Sequence, residues 1–420
     1  SGGPSPVINA SLQGVVEAAA DYPDNIGTIY ASWHGVEGIL KEELFDIGAQ
    51  PHEEIALLKN TPSAGAVGTC RYKLKADQQE DFDRIIDVCS AHNIGYFFYI
   101  GGNDSMDTAN HVSGLAKTRG LELSATGVPK TIDNDVGDQA FDLLDHTPGY
   151  GSAARYWAYI TQIANEENRG MSPSESVSVF QAMGRKAGFI PAAARLADPQ
   201  REMPLQIYLA ESDYTLESML EQVNAELSRS GRCIVVVSEG FDVGSLGETH
   251  DGFGHIEYGA SKTTVAQKVI NFLNEHKLNA TGYASGQVPG ILQRSTSIFA
   301  SAQDIEEAYQ VGRKAVELGV REGTGWMATI RRRKGPDYQP FYDRISLSAV
   351  ANSQRYLPQE WICKDRPDVS DGFIRYARPL IGEEWPRVRI ENGIQRFAKI
   401  EPQFVAKKLA EYIPQTYRGK

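Results

Sequence analysis

Cysteine and histidine are scarce in this chain, with 4 and 8 among 420 residues, and long apolar runs are missing. Cys70, Cys89, Cys233 and Cys363 stand far apart, in no Cys-x-x-Cys pair and no zinc spacing. That pattern argues against a disulfide-stapled or zinc-built domain and leads us to expect reduced, partly buried thiols in a cytoplasmic protein. His146, His250 and His255 form no metal spacing either, so hydrogen-bonded structural or surface roles are expected of them. No stretch approaches the roughly 20 apolar residues of a membrane-spanning helix, and no signal peptide is visible. No membrane partner is therefore expected. Basic residues are also in deficit, 42 Lys and Arg against 54 Asp and Glu, for a formal charge of −12. This balance disfavours nucleic acid, whose backbone demands a basic surface. Any small anionic ligand must be drawn in by a few arginines and lysines gathered locally.

What is abundant is glycine, 40 residues, in a chain that is 41% hydrophobic and 23% charged. That composition suits an α/β protein with many tight turns, and the length suggests two lobes. Short apolar runs alternate with amphipathic stretches, as in a mostly parallel sheet flanked by helices. Strands are predicted over 27–33, 94–100, 122–129, 177–182, 233–238 and 326–330. Helices are predicted over 8–20, 79–92, 107–118, 149–164, 215–230 and 263–276. Asp104 or Ser105 is expected to cap one helix, and Thr147-Pro148 opens the next. A change of lobe is expected around 145–148. Past Arg331 the pattern loosens. Arg331-Arg332-Arg333-Lys334 reads as a solvated loop, with phosphate binding as the alternative, and 401–412 as a short terminal helix. Neither an internal repeat nor a disordered linker is found. The chain opens at Ser1-Gly2-Gly3, a turn of the kind that follows a β-strand, so a strand ahead of this numbering is expected.

Two segments carry the chemistry. Gly101-Gly102-Asn103-Asp104-Ser105 follows an apolar strand, and such a turn offers backbone N–H groups to phosphate. Pro129-Lys130-Thr131-Ile132-Asp133-Asn134-Asp135 gathers a lysine, a threonine and two acids within six positions. Together they describe a site that deprotonates a hydroxyl and presents it to a phosphoryl group. A plain Asx-turn at a strand end is the bland reading of the acids.

The pair resembles the phosphofructokinase family, and its details look like the pyrophosphate-dependent branch. Further motifs follow in consistent order up to about Arg331. Ser1-Gly2-Gly3-Pro4 resembles the first phosphate loop, where Gly3 lets a phosphate approach the main chain. Gln181-Ala182-Met183-Gly184-Arg185 resembles the Met-Gly-Arg turn. Ser238-Glu239-Gly240 matches the segment whose acid bonds sugar hydroxyls, and Gln293-Arg294 the one whose arginine binds the 6-phosphate. After Arg294 the chain reads Ser295-Thr296-Ser297 where the ATP enzymes have Gly-Gly-Ser-Pro, so the rest of that pocket has no assignment. Arg71 matches an arginine near the transferred phosphate, or equally a surface arginine.

The resemblance implies a two-lobed α/β fold with mostly parallel sheets flanked by helices and the active site in the cleft between lobes. It implies a pyrophosphate lobe of 1–146 plus about 302–345, a sugar-phosphate lobe of 147–301, and an extension over 346–420. The implied reaction is reversible transfer from pyrophosphate to the 1-hydroxyl of fructose 6-phosphate. Asp133 is the implied base and Thr131 holds the phosphoryl group, with Arg185 offsetting its charge. Met183, Gly184, Glu239 and Arg294 bind the sugar phosphate. Gly3, Gly102, Asp104, Ser105 and Lys130 form the implied pyrophosphate site.

Asp104 replaces a glycine that lets nucleotide pass in the ATP enzymes; its side chain occupies that space, and its charge would repel a nucleotide polyphosphate there. Two unit charges about 4 Å apart cost on the order of 1–4 kcal/mol in wet surroundings. Lys130, where the ATP branch usually has glycine, supplies a point charge for a compact anion. Asp135 is the implied Mg2+ ligand, and Asn103, standing where the family commonly has an aspartate, its weaker partner. The position of an arginine that reaches a neighbour's site in the tetrameric ATP enzymes falls on Ser176, so a homodimer is expected. The rivals are an ATP-dependent phosphofructokinase, another phospho-sugar acceptor such as sedoheptulose 7-phosphate, and a non-catalytic regulatory subunit.

Overall fold

The apolar runs fold into two four-stranded sheets in the computed structural model, which describes residues 1–62, 65–75, 77–247, 262–351 and 353–418. The first sheet runs Pro340–Ser346, Trp326–Arg332, Ser124–Pro129, Tyr96–Gly101. Its last three strands are parallel and Pro340–Ser346 is antiparallel to its neighbour. The second sheet, Leu205–Tyr208, Cys233–Ser238, Val177–Ala182, Ala284–Gln287, is parallel throughout. Register does the positioning. Gly101 lies opposite Pro129, so the Gly102 turn and Lys130 leave the first sheet side by side. Ala182 lies opposite Ser238, so Met183 and Glu239 leave the second sheet together. Parallel sheets gather ligands beyond their strand C-termini, and here two such edges supply one cleft.

Helices cover the sheets as their apolar faces require. The helices Ile8–Ala20, Gln79–Ala91, Leu216–Ser230 and Val265–Glu275 fall within two residues of their predicted bounds. Thr215 and Thr264 cap the last two through side-chain oxygens. Tyr150–Met171 runs seven residues past the predicted end. The long helix Ala302–Arg321 was not among those predicted. Four of its ten buried residues are Ala308, Gly312, Ala315 and Gly319, whose small side chains give a weak periodic signal. The same small residues admit Ile8–Ala20 at backbone range: a Cβ on Gly312 would sit 2.3 Å from the Ser11 carbonyl oxygen. Strands Leu205–Tyr208, Ala284–Gln287 and Pro340–Ser346 also went unpredicted, being short or rich in polar residues.

Four expectations are corrected. Of 27–33 only Tyr30–Ser32 is a strand, and it joins neither sheet. The return through Val36–Leu40 lays Leu44–Asp46 antiparallel beside it, and that ribbon takes its ladder bonds. The glycine-turn helix begins at Asn103 with Gly102 as N-cap, so neither Asp104 nor Ser105 caps it. Arg331 and Arg332 are strand residues paired with Asp343 and Asp145, not a solvated loop. Residues 401–412 form an extended strap, not a helix. Val405 donates its N–H to the Leu44 carbonyl, and the Lys408 and Leu409 N–H groups bond the buried Glu42 carboxylate. These off-segment acceptors replace the i−4 carbonyls a helix would need. His250 and His255 lie outside the described residues.

The passage between the sheets is fastened by a buried charge network. His146, fully buried, bonds Asp145 at 2.9 Å and Glu307 at 2.8 Å. Arg332 donates to Asp145 at 2.9 Å, and Tyr338 donates to Glu307. Burial alone would lower the imidazole pKa, but Glu307 and Asp145 outweigh it and raise it to about 9. A folded value above the unfolded 6.5 gives stability that is full below pH 6.5 and lost as pH rises through about 9. His146→Gln should therefore be destabilised most below pH 6.5. The gap in urea-unfolding free energy from the parent should shrink between pH 7 and 10; a constant gap would contradict the charged-histidine reading.

Candidate active site

The segment after Ser124–Pro129 leaves its sheet and turns back at once. Thr131 N–H donates to the Pro148 carbonyl at 3.1 Å, and Thr131 bridges Gly149. Its hydroxyl accepts the Asp133 N–H at 3.1 Å. Asn134 has φ +57°, a left-handed conformation that asparagine tolerates better than most residues. Its side chain turns inward: Nδ2 donates to the Tyr376 hydroxyl at 2.8 Å, and Oδ1 accepts the Thr147 N–H at 3.0 Å. Asp133 and Asp135, on either side of it, line a cleft of about 510 Å³. One residue points in so that two acids point out.

Asn103 Nδ2 donates to Asp135 Oδ2 at 3.1 Å. Burial, then the adjacent Asp133, pushes the Asp135 carboxyl up to about 7, with Arg185 and Arg355 pulling the other way. The Asn103 Oδ1 atom is buried without a hydrogen-bond partner. Among the described residues no three His, Cys, Asp or Glu side chains form a ready metal cluster. An orphaned carbonyl oxygen beside two carboxylates nevertheless suits a hard cation that takes its remaining ligands from phosphate and water.

The donor end of the cleft is cationic. Lys130 is 2% exposed, and its Nζ donates to the Ser1 and Gly3 carbonyls, both at 2.7 Å. Burial, then Arg294 and Arg71, lowers its pKa to about 7, with Asp133 opposing. Arg294 lies against the N-terminal loop: a Cβ on Gly3 would sit 2.3 Å from its Nη1 and 3.4 Å from Arg71 Nη2. Asp104 pairs with Lys73 at 2.8 Å, both side chains about a third exposed. Ser105 is buried at the first helical turn, its Oγ 2.0 Å from where a Cβ on Gly101 would stand.

The second sheet supplies the opposite wall. Met183 N–H donates to Gln293 Oε1 at 2.9 Å, which also accepts the Trp157 indole N–H at 2.9 Å. Gly184, at φ +108°, turns the chain without lining the cleft. Arg185 and Glu239 line it. Gly240 closes that wall, because a Cβ there would fall 1.5 Å from the Arg185 carbonyl oxygen.

The cleft thus gathers Gly3, Gly102, Asn103, Asp104, Ser105, Lys130, Thr131, Asp133, Asp135, Met183, Arg185, Glu239 and Arg294, together with Arg71. Of the predicted site residues only Gly184 stands back. Sequence reasoning missed Lys186, Ser353 and Gln354, which also line it. The last two come from the stretch after Arg331, where neither periodicity nor a motif marked them. A carboxylate pair facing clustered cations across a cleft is equipped to take a proton from a hydroxyl and steady a phosphoryl group in transfer.

Fold and site define an α/β phosphotransferase. The Phosphofructokinase family profile matches residues 1–319, and the chain belongs to that family. It is 38% identical to the pyrophosphate–fructose 6-phosphate 1-phosphotransferase of Halomonas elongata, over 98% of this chain and 97% of that protein. It is 39% identical to the protein of the same name from Methylococcus capsulatus, over 98% and 96%. The solved pyrophosphate-dependent phosphofructokinase of Nitrosospira multiformis superposes with a TM-score of 0.87, at 37% identity and 98% coverage of both chains.

Gly240→Ala should displace the Arg185 loop while sparing the fold. Kinetics beside a thermal melt should show kcat reduced by about 10- to 100-fold, with a cooperative transition retained at a lowered melting temperature. Parental kcat would show that this close approach does not set Arg185.

Proposed function

We propose that this phosphofructokinase transfers a phosphoryl group reversibly from pyrophosphate to the 1-hydroxyl of fructose 6-phosphate, giving fructose 1,6-bisphosphate and phosphate. Buried Lys130, anchored to the N-terminal loop beside Arg71 and Arg294, carries the donor assignment. Pyrophosphate has no base or ribose to hold, so its affinity must come from concentrated charge. Full-length relatives bearing the pyrophosphate name agree with that reading. Of the two effects expected of Asp104, occupied space and repulsive charge, the first carries the reading. Its ion pair with Lys73 offsets the bare charge, so the pair bars nucleotide chiefly by filling the gap.

In the forward direction Asp133 takes the proton from the 1-hydroxyl as that oxygen bonds to phosphorus. The bridging P–O bond breaks, and inorganic phosphate leaves with the electron pair. Thr131 and Arg185 hold the transferring group, while Lys130 and Arg71 offset charge on donor and leaving group. Met183 and Glu239 seat the sugar. Arg294 faces the donor loop in this structure, and we assign it to phosphate binding at the junction of the two substrates. Asn103 Oδ1 and Asp135 would hold a divalent cation, which we take to be Mg2+; when bound it neutralises and orients phosphate oxygens.

The donor lobe is assigned to 1–146 plus about 302–345, the sugar lobe to 147–301, with 346–420 as an extension. Among the described residues no helix is long and apolar enough to cross a membrane, and all four cysteines are outside disulfides. Both facts suit a cytoplasmic enzyme. The homodimer is proposed on the sequence ground alone, that Ser176 stands where the tetrameric enzymes carry an arginine reaching a neighbour's site.

Two experiments test the reading. With magnesium and fructose 6-phosphate, pyrophosphate as sole donor should yield fructose 1,6-bisphosphate and ATP should not; activity with ATP alone would overturn the donor assignment. Asp133→Ser should lose about 10²- to 10⁴-fold in kcat while still binding fructose 6-phosphate by calorimetry. Full turnover in that variant would remove Asp133 as the base.

A further inference from the structure

Arg355 lies in the stretch that carries no family motif, and it is fully buried behind the acidic turn. Its guanidinium donates to three neutral oxygens: Nε to the Asn134 carbonyl at 3.1 Å, Nη2 to Asn134 Oδ1 at 2.8 Å, and Nη1 to the Leu144 carbonyl at 2.6 Å. Its own backbone N–H donates to the Asp135 carbonyl at 2.8 Å. The guanidinium stacks over the Phe141 ring at 4.2 Å. A buried guanidinium carries a heavy desolvation cost, and apolar side chains would fill such a space more cheaply. What an apolar residue lacks is a rigid fork of donors, and here the fork grips the left-handed Asn134 through both main chain and side chain.

The residues around it extend the grip to the other wall. Ser353 Oγ accepts the Gly137 N–H at 3.3 Å, and Tyr356 exchanges hydrogen bonds with the Gln139 side chain. Leu357 N–H donates to Glu211 Oε1 at 3.1 Å, and that same oxygen accepts the Gly188 N–H at 2.8 Å. Gly188 stands three residues beyond Arg185. One short segment therefore ties the acidic turn to the loop that carries Arg185.

We infer that Arg355 is a positioning residue for phosphoryl transfer, fixing the aim of Asp133 and Asp135 through Asn134, within a 353–357 segment that registers them against Arg185. The inference rests on the function proposed above. A group that orients the reacting residues without touching substrate should affect turnover more than binding. Arg355→Lys keeps the charge and loses the fork. Its kcat should fall about 10- to 100-fold, with KM for pyrophosphate and for fructose 6-phosphate each within about twofold of the parent. In Arg355→Ala, added guanidinium ion at sub-denaturing concentration should restore part of kcat, which a merely structural lesion would not allow. Should Arg355→Ala fail to fold, the lysine variant decides alone. A folded Arg355→Lys with parental kcat, or a loss confined to KM, would overturn the inference. The parent assayed alongside separates the two readings: an inactive parent overturns the proposed reaction and this inference with it, whereas an active parent with an unimpaired lysine variant overturns only the inference.

Discussion

An ammonium group with almost no access to water must find oxygen, and Lys130 finds it in the carbonyls of Ser1 and Gly3. The first sheet delivers Lys130 beside the Gly102 turn because Pro129 and Gly101 are in register. The two bonds then pin the N-terminal loop against that sheet. Arg71 and Arg294 close on the same point, and burial first, then the repulsion of those two arginines, brings the lysine pKa down to about 7. A compact polyanion relieves that repulsion. In a chain of net charge −12, the local excess is what draws such a ligand in.

The acidic side obeys the complementary constraint. Two carboxylates can share a small cleft only if the backbone between them is held, and Asn134 holds it by turning inward at φ +57°. Tyr376, Thr147 and Arg355 satisfy its side chain from behind. Tyr376 donates in turn to the Asp145 carbonyl, next to the histidine network that fastens the passage between the sheets. Positioning of the acids and cohesion of the two sheets therefore rest on one buried polar system. Such systems are effective when fully satisfied and costly when a member is lost.

Much of this was legible in the sequence, for reasons visible residue by residue. The Lys130–Asp135 string and the glycine turn are local motifs, and their strands are long and apolar, so both position and chemistry could be read. Met183, Arg185 and Glu239 were placed by their resemblance to family motifs, and the plain strands they end made those motifs easy to locate. The helix Ala302–Arg321 was not seen, since Ala308, Gly312, Ala315 and Gly319 mark close packing rather than an apolar stripe. The strap over 401–412 misled because its backbone bonds go to Glu42 and Leu44, more than 350 positions away. Ser353, Gln354 and Arg355 reach the site only through tertiary contacts, with no local pattern to announce them. The place of Arg294 against Gly3 likewise depends on how the two walls meet, which no motif encodes.

On this reading Lys130 is the principal anchor for the donor and leaves the sugar phosphate alone. That role is tested most directly by equilibrium binding of a non-hydrolysable pyrophosphate analogue to the parent and to Lys130→Met by calorimetry, with fructose 6-phosphate titrated separately. Truncating one partner of a buried charge pair typically costs 2 kcal/mol or more, so the analogue should bind roughly thirtyfold or more weakly to the variant. Affinity for fructose 6-phosphate should stay within about twofold, as expected of a site that does not share this lysine. Equal affinity of parent and variant for the analogue would contradict the account.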